Sequence, residues 1–517
     1  MRINQVYNKE KGFALISVVL FLGVFVIVAA GIMRFVSFEI SMSRHLFNSK
    51  KAFYLAESGI QRAAAEFRAT DTIPENLTYH LSETGLPADD EYLDNVPVNI
   101  TSQRHPNSDI YEINSSAVVN GVEREVWALL RVNPPSKVFD YAYFINNWGW
   151  FYGAVFTVNG DVRSNGRFSF RDRPFMNGEI YAGGRINGTV RGRADTRVDG
   201  EYIYQHENMP ALPMPNLRNL DYYEEKAFAR GSSVTIGGVT IIDKVFGDDV
   251  GESGNIVLVG TSANPIVITG TVVITGDVVI KGTVSGQGTI YSGRNIYVAG
   301  NIEYSNPATY SSPPSGDPEE VAAWVAANAN KDILGLAAYN NVILGNYTDR
   351  SWDRVYDYLA DMGNEDVGVD GIPNTNDEGE GDRIFDREHE DLDGDGRFDG
   401  NYTEADVRTQ ADITEFANLP EGVSTFADVA TLNISKIEGV LYTNRAIAGF
   451  MAGARDIIIN GSLVSKDETI WVNRNTTFNY DERIHSRYHY NQNWLIDLGL
   501  PTSEKVEIAG WREEPAN

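Results

Sequence analysis

The uncharged segment from Gly12 to Met33 is the feature that most constrains what this chain can fold into. It is 22 residues long and mostly apolar. At a helical rise of about 1.5 Å per residue, a segment of this length crosses a hydrocarbon core of about 30 Å. The expected state is a membrane span, and the next charged residue is Arg34.

The residues before the span indicate its orientation. Three cations, Arg2, Lys9 and Lys11, precede it together with one anion, Glu10. The positive-inside bias keeps such a leader in the cytoplasm and places the C-terminal bulk outside it. A secretory signal would need a small-residue cleavage site after the apolar core. Here the plausible cut lies before it, at Gly12, so the apolar helix stays on the mature protein.

Beyond the span, apolar residues continue at three- and four-residue steps, which is the period of one helix face. These residues are Ala52, Phe53, Leu55, Ala56, Ile60, Ala63, Ala64 and Phe67. The pattern predicts one unbroken helix over residues 13–68, roughly 80 Å long. Its first half would be a membrane anchor, and its second half an amphipathic support for the exported part.

Two short segments of this helix resemble a known family. KGFALIS, around Gly12 and Phe13, resembles the cleavage site of a type IV prepilin, and KKAFYLAESGIQRA, from Lys50, resembles the N-terminal domain of PilX-type minor pilins. The resemblance implies that prepilin peptidase removes residues 1–12 and that Phe13 becomes N-methylated. It also implies that the helix packs with other pilins or pseudopilins. The alternative is an ordinary single-span anchor with a coincidental Gly-Phe junction.

One position departs from the family pattern. Most pilins carry Glu at the fifth residue after the cut, where its charge pairs with a neighbouring subunit's N-terminal amine; this chain has Ser17. A carboxylate without a partner would be costly in lipid. The resemblance therefore implies a minor subunit, and a filament tip, where no subunit lies above, fits this substitution.

The exported part is predicted to be mainly β, with a linker at residues 133–136. Residues 69–135 are expected to be a small pilin-like α+β region, because two extended runs flank Asn120-Gly121 and so predict a hairpin that packs on the helix. In residues 136–346, short apolar triplets alternate with glycines such as Gly270, Gly276 and Gly282. This texture predicts a right-handed β-helix or β-solenoid. The competing fold is a β-sandwich, whose strands would be longer.

The same pattern resumes after an interruption. The motifs GVLYTN and INGSLVSKDE in residues 431–517 resemble those of PilX-type proteins with large C-terminal regions, so this segment is expected to supply final rungs and a C-terminal cap. Residues 347–430 are then an insertion. From Glu365 to Asp406 the insertion holds sixteen acidic residues and three arginines.

The insertion contains a candidate calcium loop. Five residues match the first nine places of such a loop, with carboxylates at places 1, 3, 5 and 9 and a backbone carbonyl at place 7: Asp391, Asp393, Asp395, Arg397 and Asp399. Place 12 is Tyr402 where a bidentate Glu belongs. Weaker candidate ligands are Asp366, Asp370, Asn374, Asp377 and Glu404. The alternative is a solvated acidic loop without an ion.

Other signals limit the function classes. The formal net charge of −28 argues against nucleic acid as a partner, because that binding depends on Lys and Arg. There is no cysteine. His485 and His489 lack the Glu of a zinc hydrolase motif. The aromatic residues of 146–152 are expected to cap the first rung of the solenoid; the alternative is a stacking platform for sugars.

The expected function is that of a non-catalytic minor pilin or pilin-like surface protein in type IV pilus assembly and adhesion. It would be held in the bacterial inner membrane by one span before assembly, and surface glycans or host or abiotic surfaces are candidate ligands. One alternative is a pilin-anchored polysaccharide lyase or hydrolase, which would need residues such as Asp161, Arg163 and Arg185 on one face. Another is the tip pseudopilin of a type II secretion apparatus.

Overall fold

The computed structural model describes most of the chain. The described residues are 7–70, 76–81, 96–104, 110–132, 136–152, 155–215, 217, 220–310, 317–349, 352, 355, 412–431, 433–450, 456–472, 475–486, 498–503 and 506–514. They belong to two compact units, Met1–Pro134 with Lys505–Asn517, and Pro135–Glu504. The boundary near Pro134 falls within the segment that the sequence predicts as a linker.

The helices and strands are numbered in chain order. The helices are α1 (Tyr7–Thr70), α2 (Asp221–Arg230), α3 (Pro318–Asn328) and α4 (Phe426–Val429). The strands are β1 (Asn76–Leu81), β2 (Val96–Arg104), β3 (Ile110–Val119), β4 (Val122–Val132), β5 (Tyr143–Ile145), β6 (Gly149–Tyr152), β7 (Phe156–Asn159), β8 (Val162–Ser164), β9 (Phe168–Arg171), β10 (Phe175–Met176), β11 (Ile180–Ala182), β12 (Ile186–Asn187), β13 (Arg197–Val198), β14 (Glu201–Tyr202), β15 (Gln205–His206), β16 (Ser233–Ile236), β17 (Val239–Asp243), β18 (Val245–Phe246), β19 (Ile256–Gly260), β20 (Ile266–Ile274), β21 (Val278–Ser292), β22 (Ile296–Tyr304), β23 (Ile333–Ala338), β24 (Val342–Leu344), β25 (Lys436–Thr443), β26 (Ala446–Phe450), β27 (Ile457–Ser465), β28 (Glu468–Val472), β29 (Thr476–Tyr480) and β30 (Val506–Glu514).

The first unit is the long helix α1 and an antiparallel sheet in the order β1-β2-β3-β4-β30. The predicted hairpin is present as β3 and β4, which pair in register from Ile110 with Arg131 to Val119 with Val122. Asn120 and Gly121 form its turn with φ values of 48° and 82°. Both values lie in the left-handed region that a tight two-residue hairpin turn requires, and Asn and Gly adopt it most readily.

The last strand lies in the sheet of the first unit. Residues 431–517 were expected to supply final rungs and a C-terminal cap, and within this range β30 pairs antiparallel with β4, from Val506 opposite Val132 to Glu514 opposite Glu125. The end of the chain therefore belongs to the sheet of the first unit. The physical reason is that β4 has a free edge, whose backbone groups β30 hydrogen-bonds.

The second unit is a solenoid of parallel strands. Ile266 pairs with Val284, and Val278 with Ile296, so the chain returns to the same ladder after 18 residues. Three ladders result, and long strands such as β20 and β21 bend from one ladder into the next. The expected mainly β fold with a long N-terminal helix and a solenoid is confirmed, since successive rungs pair in parallel at a fixed period, whereas the strands of a sandwich pair antiparallel.

Glycines make the bends between ladders. Gly282 and Gly286 have φ values of 97° and 91°, in the left-handed region. A Cβ atom on Gly282 would lie 1.9 Å from the carbonyl oxygen of Gly260 in the adjacent rung. Glycine is required here for two reasons, since a side chain would be strained by the backbone conformation and would collide with the neighbouring strand.

The rungs do not stack in chain order. Ladder one runs β18, β20, β21, β23, β25, β27, β5, β8, β11, β15. Ladder two runs β19, β21, β22, β24, β26, β28, and β6, β9 and β12 form a separate sheet in the rungs beyond it. Ladder three continues from β27 through β29 to β7 and β10. The first rungs of the sequence thus follow the last.

This order overturns the expected role of the aromatic residues of 146–152. Their rung lies between the rung of β27 and the rung of β8, so they do not cap an end of the stack. Phe151 is buried in the interior, where its ring lies parallel to those of Phe168 at 5.9 Å and Phe170 at 6.2 Å between centroids. Phe151 is core because both neighbouring rungs cover it, whereas Trp148 and Trp150 are half-buried.

The described residues of 207–223, here called the strap, lie between β15 and the opposite end of the stack. Carbonyl oxygens of the strap accept hydrogen bonds from the rungs of β8 and β25: Pro210 from Arg163, Leu212 from Asn165 at 2.8 Å, and Pro215 from the Tyr442 hydroxyl at 2.8 Å. Tyr223 then stacks on Tyr291 with 4.0 Å between ring centroids. The strap allows the sequence-first rungs to lie last in the stack.

The described ends of the insertion pack on the outside of the solenoid. They form a separate apolar cluster in which Trp352 and Phe426 are fully buried, together with Tyr297 and Ile343 of the ladder beneath. The rings of Tyr347 and Phe426 lie 4.3 Å apart between centroids. Both ends of the insertion are therefore anchored to the same face.

Candidate functional site

The N-terminal half of α1 presents an apolar surface that no other described part of the chain covers. Leu15 to Phe47 includes large exposed side chains such as Phe21, Phe25 and Ile27, each more than 70% exposed. By length and composition, this is the one helix among the described residues that could cross a membrane. The expected single span is supported to that extent.

The C-terminal half of α1 is packed. Ala56, Ala63 and Phe67 are buried against strand residues of the first unit, among them Ile113 and Leu130. Gly59 permits this close approach, because a Cβ atom there would lie 2.1 Å from the Ser115 hydroxyl oxygen. The same helix thus has one half that supports a sheet and one half that requires an apolar environment.

The predicted processing site lies within α1. Gly12 and Phe13 belong to the helix, which begins at Tyr7 rather than at Phe13. Ser17 is half-buried, and no acidic residue occurs between Leu15 and Phe38. The chain therefore has no carboxylate at this depth of the described span.

The predicted calcium ligands lie outside the described residues. This holds for Asp391, Asp393, Asp395, Arg397 and Asp399, and for the weaker candidates Asp366, Asp370, Asn374, Asp377 and Glu404. Over the ranges that are described, no group of three or more His, Cys, Asp or Glu side chains could hold a metal ion. The calcium loop stays a prediction.

Only one histidine of the candidate pair His485 and His489 lies among the described residues. His489 lies outside the described residues, and His485 Nδ1 lies 3.4 Å from Asp140 Oδ1. Asp140 also accepts hydrogen bonds from the backbone and hydroxyl of Ser486, each at 2.7 Å. His485 thus belongs to a contact that joins residues 485–486 to the start of the solenoid unit.

The three residues proposed for a catalytic groove do not share a face. Arg163 is buried and donates to the Tyr141 hydroxyl at 3.2 Å and to the Pro210 carbonyl. Arg185 is exposed. Asp161 accepts a hydrogen bond from the backbone N–H of Glu179 at 2.8 Å. Arg163 serves to hold the strap.

A polar cluster that the sequence did not reveal lies near Arg163, at the end of the stack that β15 forms. Glu179 Oε2 lies 2.8 Å from His206 Nε2 and accepts a hydrogen bond from the Tyr181 hydroxyl at 3.0 Å, while Oε1 accepts one from Arg193 at 3.0 Å. Burial raises the pKa of Tyr181, and the charges of Asp161 and Glu179 raise it further. Tyr181 therefore stays protonated and acts as a donor.

The 18-residue rung period could have placed only one residue of this cluster, Tyr181. It places Tyr181 beside Arg163 in adjacent rungs, as the pairing of β11 with β8 shows. His206 was beyond such reasoning, because β15 joins the ladder after the hairpin β13–β14 interrupts the period. His206 stacks on Tyr181 with 4.7 Å between ring centroids.

Comparisons with known proteins give one similar solved structure to report. No protein family matches the chain, and no curated protein matches it in sequence. The crystal structure of the competence-associated pilin ComZ from Thermus thermophilus aligns at 11% identity and a TM-score of 0.25, over 90% of this chain and 98% of that one. A TM-score of 0.25 is too low to establish a common fold.

Proposed function

We propose that this chain is a minor pilin or pilin-like surface protein that acts in type IV pilus assembly and adhesion and catalyses no reaction. The observation that carries the proposal is the division of α1. Its apolar surface from Leu15 to Phe47 is exposed, whereas Ala52 to Phe67 is packed on the sheet. A helix of this design assembles with other helices through its first half and carries a folded unit on its second.

The energetics of the exposed half support this role. Burying one large apolar side chain contributes about 1.5–3 kcal/mol, and more than a dozen such side chains are exposed along this segment. Water is therefore an unsuitable environment for it. Lipid of the inner membrane before assembly, and the helices of neighbouring pilins afterwards, would each cover the segment.

Ser17 bears on the position in a filament. A subunit whose span lacks a carboxylate cannot neutralise the N-terminal amine of a neighbour by an ion pair. We infer a minor subunit at or near the filament tip, with its N-terminus released by prepilin peptidase after Gly12 and Phe13 N-methylated. The solenoid unit would then be displayed outside the cell envelope.

Calcium is part of the proposal. The spacing of Asp391, Asp393 and Asp395 with a turn glycine at Gly396 matches a calcium loop, and hard oxygen ligands suit this ion. The described ends of the insertion are packed on the solenoid. An ion bound by the acidic residues between these two ends would neutralise part of their charge. We propose that calcium stabilises the insertion in this way.

Two other functions were considered. A polysaccharide lyase or hydrolase would need a reactive group in an open cleft, but both oxygens of Glu179 already contact other side chains and Arg163 is buried. No described geometry favours this activity. A pseudopilin of a type II secretion apparatus would share the helix argument, and the identity of the co-assembled proteins distinguishes it from a pilus subunit.

The N-terminus of the mature protein tests the assignment. Mass spectrometry of the chain produced in a host with prepilin peptidase should find N-methylated Phe13. Gly12→Val should leave the leader attached. Gly23→Val is the matched control, because a Cβ atom at Gly23 meets no atom within 4 Å and the position is remote from the cut. An intact Met1, or a cut after Met33, in the unaltered chain would contradict the proposal.

A further inference from the structure

The distribution of positive charge along the chain is uneven. Residues 163–197 contain eight arginines and three acidic residues, a net charge of five positive in a chain of net charge −28. The eight are Arg163, Arg167, Arg171, Arg173, Arg185, Arg191, Arg193 and Arg197. This segment forms the two rungs of β8 to β12 at one end of the described stack, which we name the arginine end.

The arginines of this end are exposed, with two exceptions. Arg163 is buried under the strap and Arg167 is half-buried, while the other six are exposed to solvent. The two rungs are adjacent, and parallel strands lie about 4.8 Å apart. The six exposed arginines therefore lie within two adjacent rungs and the turn that follows them rather than being dispersed along the solenoid.

Aromatic rings hold four of these guanidinium groups. The distances from the guanidinium carbon to the ring centroid are 5.2 Å for Arg167 on Trp148, 5.9 Å for Arg191 on Phe175, 4.3 Å for Arg193 on Tyr204 and 3.9 Å for Arg197 on Tyr202. A guanidinium that lies on a ring keeps its N–H groups at its edge. Stacking therefore orients the donors and reduces the entropy lost on binding a ligand.

Within residues 163–197, acidic side chains compensate only part of this charge, and the adjoining hairpin that supplies Tyr202 adds Asp199 and Glu201. Glu179 pairs with Arg193 at 3.0 Å, and Asp195 with Arg173 at 3.5 Å. With Asp172 they are the three acidic residues of the segment. A surface that alternates guanidinium donors with a few carboxylate acceptors suits a ligand that bears both anionic groups and hydroxyl groups.

We propose that the arginine end binds an acidic polysaccharide whose carboxylates are recognised by the stacked arginines. The planar guanidinium presents two parallel N–H donors, and this geometry matches a carboxylate. Sugar hydroxyls between the carboxylates would donate to Asp172, Asp195 or Glu179. The proposal rests on the proposed function in one respect, since it names the ligand class for the adhesive surface.

The structure favours a polysaccharide over a nucleic acid. Single-stranded nucleic acid binds by stacking its bases on open aromatic faces, but here each of the four rings has a guanidinium on one face. Duplex binding depends on neutralising many closely spaced phosphates, and the acidic remainder of this chain opposes a long polyanion of that charge density. A polysaccharide whose charges are more widely spaced than the phosphates of a duplex meets less repulsion from the acidic remainder of the chain.

A binding assay on the full chain in detergent micelles tests the proposal. The probes are polygalacturonate oligomers, neutral dextran oligomers of equal length, and a single-stranded DNA oligonucleotide. We expect polygalacturonate to bind, with an affinity that falls as salt is added, and dextran not to bind. The triple variant Arg191→Gln, Arg193→Gln, Arg197→Gln should bind about tenfold or more weakly, because each lost charge pair weakens the complex.

Two further variants provide a control and a second test of the arginine end. Arg294→Gln removes an exposed arginine in the middle of the stack and should leave the affinity within about twofold. Arg171→Gln with Arg185→Gln removes two exposed charges of the arginine end for which the described residues provide no aromatic stacking partner, and should weaken binding even if the triple variant fails to fold. Equal affinity of the Arg171→Gln, Arg185→Gln double variant and the unaltered chain would overturn the proposal.

Failure to bind polygalacturonate, or tighter binding of the DNA oligonucleotide, would also overturn it. These outcomes are independent of the processing of the N-terminus. A chain that binds polygalacturonate but keeps Met1 would contradict only the pilin assignment, and a chain that is cut after Gly12 but binds no polysaccharide would contradict only the ligand class.

Discussion

The side-chain amide of Asn159 donates a hydrogen bond to the side-chain oxygen of Asn479 at 2.8 Å, although the two residues are 320 positions apart in the chain. The bond is one step of a ladder across successive rungs. Asn177 donates to Asn159 at 2.7 Å, Asn479 to Asn460 at 2.9 Å, and Asn460 to Glu438 at 3.1 Å. The ladder crosses the junction where the first rungs of the sequence meet the last.

Backbone pairing between strands also joins the rungs at this junction. β5 pairs with β27 and β7 pairs with β29, both in parallel. Strands so distant in sequence meet only after most of the chain is ordered, and such contacts carry the largest loop-closure cost. The side-chain ladder is therefore placed where the backbone alone has the least local support.

The ladder across the junction predicts a position-dependent effect of asparagine substitution. Asn479→Ala should lower the free energy of unfolding by about 1–3 kcal/mol, because it leaves the amide of Asn159 without its acceptor in a partly buried site. Asn177→Ala, at the exposed end of the ladder, should cost less than about 0.5 kcal/mol. Denaturant unfolding of the full chain in detergent, followed by tryptophan fluorescence, measures both; equal losses would contradict the role of the junction.

The bend at Gly282 predicts a large effect of a single methyl group. Gly282→Ala should lower the free energy of unfolding by about 3 kcal/mol or more, because the new Cβ atom would lie 1.9 Å from the Gly260 carbonyl oxygen and the backbone would have to shift. Gly238→Ala is the matched control. Its φ of 79° is also left-handed, but no atom lies within 4 Å of the new Cβ, so only about 1–2 kcal/mol should be lost. Thermal unfolding of the two variants distinguishes the collision from backbone strain.

The buried ion pair between Arg483 and Asp481 predicts that removing Arg483 alone destabilises the protein more than neutralising both residues. Arg483 is buried and donates to both oxygens of Asp481 at 2.8 and 2.6 Å and to the carbonyls of Asn328, Lys331 and Asp332. Arg483→Met should cost about 3–5 kcal/mol, because the buried carboxylate is left without its countercharge.

Adding Asp481→Asn to Arg483→Met tests the cause. The neutral amide keeps an acceptor for the Tyr310 hydroxyl, which donates to Asp481 at 2.7 Å. The double variant should therefore recover part of the lost stability. If it unfolds at the same denaturant concentration as Arg483→Met alone, the loss comes from the missing contacts of the arginine and not from the unpaired charge.

Removal of calcium should expose the insertion to proteases. Chelation with EGTA is expected to increase cleavage between residues 350 and 430 several-fold while the solenoid resists, because an ordered acidic loop would lose the ion that neutralises it. Asp391→Asn with Asp393→Asn and Asp395→Asn should give the same cleavage without EGTA. Glu378→Gln with Glu380→Gln and Glu388→Gln, three acidic residues of the insertion that are not candidate ligands, is the charge-matched control. Unchanged cleavage on chelation would contradict the calcium assignment.

Local sequence patterns predicted the elements well. The helix period from Ala52 to Phe67 identified the face that packs on the sheet, and Asn120-Gly121 identified the hairpin between β3 and β4. Glycines such as Gly282 marked the bends of the solenoid. These predictions succeeded because each depends on residues within one element or one turn.

The same patterns could not predict the polar contacts at the arginine end. Glu179 and Tyr181 lie in one strand region, but Arg193 follows after 14 residues of glycine-rich chain, and His206 returns after a hairpin. Their meeting depends on the lengths of the connections and on the place of β15 beside β11. The rung period predicts neither the lengths of these connections nor the place of β15.

The amino-acid sequence by itself determined the apolar anchor, the helix that extends it and the repeated rung, because helix period, glycine placement and uncharged length act over short distances. Only the tertiary structure decided that the first rungs stack on the last, that β30 joins the sheet of α1, and that the arginines gather at one end. The physical reason is that backbone hydrogen bonds between strands are alike for every sequence. The choice of partner therefore depends on which edge is free and on how far the connecting chain reaches.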